Sequence, residues 1–170
     1  VGNELIKLGI IKSIDELRNL GTPKGKPISI SDTVLNTLNN LLRKNKYENK
    51  LIEYYKKQYW DVNKCDDISS QTLAEELFDF GVNAGPGTAA KILQRLVDVK
   101  DDGNLGEMSL YAINCAICFD LFSLQLNFAL EKIKHYHRIS KAPGSENRKY
   151  IHGWLNRTYE IFDGFYEMDD

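Results

Sequence analysis

The residues best suited to chemistry gather between Glu75 and Asn83, in "EELFDFGVN". Glu75 and Asp79 stand four apart, so on a helix they share a face where paired carboxylates could do acid–base work. For Glu75 and Glu76 a solvated acidic face near a helix N-terminus explains the charges equally well, and it is the simpler reading. Asp79 stands out because Phe78 and Phe80 flank it. Asn83 follows one turn later. Its amide could hydrogen-bond sugar hydroxyls or an acetamido group, or it could cap the helix end. Tyr54, Tyr55, Tyr59, Trp60, Trp154 and Tyr159 could stack on sugar rings. At helical spacing most of them read as core, with Trp60 at a helix end as the best exception.

Two further motifs lose their chemical reading on inspection. Cys115 and Cys118 form C-x-x-C, but zinc needs about four ligands, and His135, His137 and His152 show no ligand spacing with the pair. The pair lies in the apolar run "LYAINCAICFDLF", which predicts buried, inert thiols. The acidic stretch from Asp98 resembles a calcium loop, yet an EF-hand count puts Lys100 at position 3 and Ser109 at position 12. An ordinary Asp-Gly turn at Asp102-Gly103 fits better. No metal or cofactor is expected.

The elements that must position these residues are helical throughout. Ser13 to Glu16 reads as a capping box for a helix ending at Gly21, and an apolar stripe runs from Ser31 to Lys44. A helix from about Glu48 to Trp60 aligns Leu51, Tyr55 and Tyr59. Thr72 and Glu75 form a second capping box, with Leu73, Leu77, Phe80, Gly81 and Ala84 at helical spacing. Thr88 reads as the N-cap of the helix that carries Ala89, Ile92, Leu93, Leu96 and Val97. Helix then covers roughly 108–139. A last helix turns Ile151, Trp154, Leu155, Thr158 and Phe162 inward.

This pattern also decides the string "GPGTAA", which matches the loose form of a dinucleotide-binding loop. That loop needs a preceding strand and backbone N–H groups aimed at pyrophosphate. Here a helix leads in, and Pro86 has no N–H to offer. Gly85, Pro86 and Gly87 therefore read as a helix-to-helix hinge, with Gly85 at a left-handed helix end.

The bulk numbers narrow the partners. A chain of 170 residues can bury a core of its own. Its net charge of -2 gives no sign of nucleic acid as partner. No unbroken apolar run reaches the roughly 18 residues of a membrane span, so no membrane insertion is expected. Three cysteines argue against a disulfide framework. The sequence carries no indication of oligomeric state.

The stretch from Tyr54 to Gly106 resembles a family of bacterial and phage N-acetylmuramidases that includes the secretion-activating proteins. The family shows a Tyr-Trp ending one helix, then a phrase close to "lfDfavNaGpgrAakwLQralgv..DG.iG". This chain matches at Tyr59, Trp60, Phe78, Asp79, Asn83, Gly85, Pro86, Gly87, Ala89, Leu93, Gln94, Arg95, Asp102, Gly103 and Gly106, and again at "GWLNR", Gly153 to Arg157. The resemblance implies an all-α, lysozyme-like fold in one compact domain, with residues 1–60 in the muramidase-like lobe and 61–170 in a peptidoglycan-binding half. It implies hydrolysis of the bond between N-acetylmuramic acid and N-acetylglucosamine, at the cell wall or periplasm, with peptidoglycan glycan strands as partner. Asp79, Asn83, Tyr59, Trp60 and Gln94 become the expected substrate-binding residues, with Gln94 and Arg95 near the hinge or its rim.

The family's general acid is a glutamate in an "EGGY" phrase that precedes "GG-x-T-x-x-GI". The start "VGNELIKLGI" fits the second phrase at Gly2, Gly9 and Ile10, with Asn3 in place of Gly and Leu5 in place of Thr. On this alignment Glu4 is out of place and the catalytic glutamate is expected before Val1. The alternative reading is a non-catalytic peptidoglycan-binding protein on the same scaffold.

Overall fold

The computed structural model describes residues 48–143 and 146–166, with side chains in the last helix described through residue 159. The helices expected at Ser13–Gly21 and Ser31–Lys44, and the "VGNELIKLGI" start, lie outside the described residues. The chain divides into two compact units, Val1–Gln58 and Tyr59–Asp170.

Of the first unit the described part is α1, Glu48–Tyr55, and the start of a π-helical turn, Lys56–Trp60. The wider π winding breaks the i, i+4 register expected to carry Leu51, Tyr55 and Tyr59 in line. Tyr54 and Tyr55 meet edge to face, with ring centroids 5.7 Å apart.

The second unit is built from α2 (Gln71–Ala84), α3 (Pro86–Leu96), α4 (Glu107–Lys141) and α5 (Ile151–Tyr166). All described elements are helical, which agrees with the all-α expectation. The cap of α2 is Ser70 rather than Thr72: the Ser70 hydroxyl accepts from Leu73 N at 3.3 Å, and Thr72 lies inside the first turn. Such a cap stabilises a helix by about 1 kcal/mol. Leu73, Leu77 and Phe80 turn inward from α2 and meet Ala89, Ala90 and Leu93 of α3, all fully buried. Burying each large side chain contributes roughly 1.5–3 kcal/mol, so this helix pair anchors the unit.

Gly85 sits between them with φ 92 and ψ 141, serving as C-cap of α2 and N-cap of α3 at once. The expected left-handed turn is instead an extended conformation at positive φ, which suits glycine. Pro86 takes the first position of α3, where a missing N–H costs nothing. Thr88 therefore lies within the helix and is not its cap.

The long helix α4 has two characters. From Leu124 onward it is a core helix, burying Leu124, Gln125, Phe128, Ala129, Lys132, Tyr136 and Ser140. Its first half buries only Ser109 and Ile113, and Cys115 and Cys118 are exposed, contrary to the buried thiols expected from the apolar run. Hydropathy alone could not show which side of this helix lacks a neighbour. The halves meet at a kink, Asp120 (φ -161, ψ 86), whose carboxylate accepts from Ser123 N at 2.9 Å and caps the second half. By length and composition α4 could cross a bilayer, a property that core helices share. Asn114, Asp120 and Ser123 interrupt any unbroken apolar run, so run length alone does not mark it.

Candidate functional site

The three carboxylates of α2 go to three different places. Glu75 stays at the surface and accepts from Gln71 Nε2 at 2.8 Å. Glu76 is buried, against the solvated reading. It lies 3.6 Å from Lys132 Nζ and accepts from Gln125 Nε2 at 2.8 Å, while Gln125 also donates to Thr72. The reason is visible in the spacing, because 76 falls on the 73–77–80 stripe that faces the core. Burial pushes the Glu76 carboxyl upward against the opposing pull of Lys132, and burial likewise pushes Lys132 downward against Glu76.

Asp79 lies half-exposed one turn on. Its carboxylate accepts from Arg157 Nη1 of α5 at 3.2 Å. Asn83 is exposed; its amide donates to the Asp79 carbonyl at 3.1 Å and its side chain lies beside the Tyr136 phenol. Burial, and then the Asp79 charge, hold the Tyr136 phenol well above its usual value, so it stays protonated. Beneath this group Tyr136 stacks on Trp154 at 4.8 Å with the planes 19° apart. Tyr150 tilts over Trp154 at 5.9 Å. The result is a surface carrying a carboxylate, a guanidinium and an amide on an aromatic base.

Tyr59 and Trp60 gather elsewhere, around Phe78. Trp60 meets Phe78 at 5.8 Å and Tyr59 meets it at 6.5 Å, both near edge to face. Trp60 commits its Nε1–H to Asp66 at 2.7 Å. Phe78 and Asp79 are consecutive, so the two clusters occupy faces of α2 about 100° apart.

Gln94 is fully buried, so it faces no ligand. Its Nε2 lies within 3.1 Å of Asp102 Oδ1, the Asn104 carbonyl and Ser109 Oγ, and its Oε1 accepts from Gly103 N at 2.8 Å. It thus ties the 101–106 loop to α3. Arg95 pairs with Asp101 at the rim of that loop, 3.0 Å away. Gly103 has φ 83, and a Cβ there would lie 3.0 Å from the Gly87 carbonyl. The hinge and the loop therefore pack closely, and a glycine is needed at position 103. Asn63 adds a further tie, donating to the Pro86 carbonyl at 3.3 Å.

Arg157 and Tyr136 escaped the sequence reading as site residues. Arg157 closes the "GWLNR" phrase, which was its only signal; Tyr136 carried none, since its partners are 53 and 18 positions away (136 − 83 and 154 − 136). Among the described residues no group of three or more His, Cys, Asp or Glu side chains could hold a metal.

Comparison with known proteins follows this division. Residues 22–85 match the family model of glycosyl hydrolase 108, and residues 88–159 match that of a "Predicted Peptidoglycan domain". The junction falls at the Gly85–Gly87 hinge, although α2 and α3 pack together across it. Among solved structures the chain is similar to that titled "Structure of Brucella abortus SagA", with a TM-score of 0.54 and 23% identity over 67% of this chain and 60% of that one. At that identity the likeness speaks for the fold, and the chain spans only 60% of the length of that structure. No curated protein matches. With the two family segments in succession on one all-helical fold, the chain is similar to glycosyl hydrolase 108 in its first half and to a peptidoglycan domain in its second, which supports the resemblance to the lysozyme-like N-acetylmuramidases.

Proposed function

We propose that the chain belongs to a peptidoglycan hydrolase that cleaves between N-acetylmuramic acid and N-acetylglucosamine, and that Asp79, Asn83 and Arg157 hold the glycan strand. The carrying observation is the half-exposed Asp79–Arg157 pair above Tyr136 and Trp154. Arg157 has five N–H donors and spends Nη1 on Asp79, so its fork can also meet hydroxyl, acetamido or carboxylate oxygens. Asn83 supplies an amide beside them. Tyr59 and Trp60 border a neighbouring face and could extend the contact along a strand.

Cleavage requires a carboxylic acid that protonates the leaving oxygen. Among the described residues Glu76 is the carboxyl pushed upward, but it is buried against Lys132 and cannot reach a glycan. The acid is therefore sought outside the described residues, where the family resemblance puts it. Action at the bacterial cell wall follows from this reading.

Co-sedimentation with purified peptidoglycan sacculi tests the binding surface. Arg157→Ala and Asp79→Asn should each weaken binding about fivefold or more, roughly 1 kcal/mol, with unchanged thermal melts. Full binding by both variants would remove the surface from the proposal. Release of reducing ends from sacculi by the complete gene product tests hydrolysis. Binding without release would assign the chain to the non-catalytic alternative.

A further inference from the structure

The end of α4 and the segment after it concentrate positive charge that neither the core nor the Asp79 surface uses. Residues 131–159 hold seven Lys and Arg against two Asp and Glu, whereas residues 59–130 hold four against eleven. Lys132 is committed to Glu76, and Arg157 to Asp79. Lys134, Arg138 and Lys141 stand at i, i+4 and i+7, so they form one row on the face of α4 turned away from Tyr136. All three are exposed. Arg148, also exposed, lies in the 3-10 turn Glu146–Tyr150 and donates from Nε to the Ser140 carbonyl at 3.4 Å. It therefore stands at the end of the row.

The fold compensates this row only in part. Glu131 reaches Lys134 at 2.6 Å, and Arg138 donates from Nη2 to His135 Nδ1 at 3.2 Å. Among the described residues no carboxylate pairs with Arg138, Lys141 or Arg148. The helix dipole favours Arg138 and Lys141 in the last turn. It does not extend to Lys134, nearly two turns before the end, or account for Arg148 in the next element. Residues 1–58 hold eleven Lys and Arg against six Asp and Glu, so their charge repels the row. The start of α5 packs on the opposite face of α4, through Trp154 and Tyr136.

We propose that Lys134, Arg138, Lys141 and Arg148 bind the carboxylates of the short stem peptides carried by the peptidoglycan strand whose sugars meet Asp79, Asn83 and Arg157. This rests on the glycan-holding role proposed above for those three residues. Charge chooses the partner first: the sugars of such a strand are uncharged, and its carboxylates sit on the peptides. Length agrees, since seven residues of helix span about 10 Å. An extended peptide of four or five residues spans roughly 13–18 Å. Position agrees as well. Arg148 stands two residues before Tyr150, whose ring tilts over Trp154 at 5.9 Å, and Trp154 stacks on Tyr136 beneath Arg157. A peptide leaving a sugar held there can turn over the end of α4 onto the row.

Sacculi whose carboxylates have been converted to methylamides with carbodiimide and methylamine separate this contact from sugar recognition. In dilute buffer the full chain should bind untreated sacculi about fivefold more tightly than amidated ones, as expected of a few exposed ion pairs. The difference should vanish in 1 M salt, where charges are screened within about 3 Å. A triple variant, Lys134→Gln with Arg138→Gln and Lys141→Gln, should bind both preparations alike, at the unsubstituted chain's level on amidated sacculi. If its melt is lowered, Lys141→Gln alone should show about a twofold loss in the same direction. Arg157→Ala should weaken binding to both preparations equally. Equal binding of the unsubstituted chain to both preparations overturns the stem-peptide contact and leaves the sugar surface standing. A triple variant that keeps the preference for untreated sacculi overturns it too, and its loss of binding to phosphatidylglycerol vesicles would then give the row to lipid. Undiminished binding by Arg157→Ala is the separate result that removes the sugar surface.

Discussion

Two ion pairs start from α2 three residues apart and lead opposite lives. Glu76 and Lys132 have 6% and 3% of their side chains exposed; Asp79 and Arg157 have 46% and 54%. Helix geometry makes the difference, because position 76 joins the inward stripe and position 79 sits beside its edge. The buried pair is held by Gln125 and by the ring of Phe128, over which Lys132 Nζ sits at 5.4 Å. It cannot exchange partners without opening the core. The exposed pair can, since water already competes for it. Charge in this unit is thus divided between a pair locked into the core and a pair open to solvent, the one proposed to meet the glycan.

The largest effect should come from breaking the buried pair on one side. Lys132→Met strands Glu76 in the core, and removing one partner of such a pair costs about 3–5 kcal/mol. Neutralising both, with Glu76→Gln and Lys132→Met together, should recover most of that loss while keeping the acceptor for Gln125. Urea unfolding of the two variants measures it, and a loss below about 1 kcal/mol for Lys132→Met would show that water reaches the pair. The loss should also depend on pH. The folded-state value of Glu76 lies above its ordinary 4.5, so the folded chain holds that proton longer than the unfolded one. Stability of Lys132→Met therefore falls as pH rises from 4.5 through the raised value, and the deficit is larger at neutral than at acid pH.

Gln94 belongs to the buried side of the comparison, although its motif had suggested the exposed one. Gln94→Ala removes the acceptor of Gly103 N and the donor to Asp102, Asn104 and Ser109, which should cost about 1–3 kcal/mol by the penalty for stranded polar groups. Arg157→Ala sits at the other extreme. An exposed pair is worth about 0–1 kcal/mol, so the unfolding midpoint should barely move even where sacculus binding falls. A large stability loss in Arg157→Ala would erase the distinction between the two pairs.

Much of this division was legible in the sequence. The stripe through Leu73, Leu77 and Phe80 placed α2, and the missing N–H of Pro86 rejected a phosphate loop. The sequence points to Thr72 and Glu75 as the capping box because their local pattern is the better one; which residue caps depends on where the chain arrives from Ile68. The family phrase drew attention to Gln94 without saying whether it packs or binds. Gly85 and Gly103 shape the backbone and Gln94 ties the loop to α3, whereas Asp79, Asn83 and Arg157 of the same phrases face outward. One string mixes both, and only the fold separates them. The pairing of Asp79 with Arg157 spans 78 residues (157 − 79), beyond any periodicity argument.

The smallest effect concerns Asp102, where the two kinds of polar residue meet. The Asn104 N–H and then the Gln94 amide hold its carboxyl below the ordinary 3.8. A depressed carboxyl contributes stability above its unfolded value and loses it as pH falls through the folded value, so the contribution is present above about 3.8 and its loss is confined to more acid solutions. Gln94→Ala removes the second of these donors and leaves the first, so the Asp102 midpoint should rise partway toward 3.8 without reaching it. Carbon-detected NMR titration of the side-chain carboxyl reads this directly. A full return to the ordinary value would mean that the Asn104 N–H had also let go, and that Gln94 holds the whole turn in place. An unchanged midpoint would restrict Gln94 to its bonds with Gly103, Asn104 and Ser109, and Asp102 would then belong to the exposed side of the comparison.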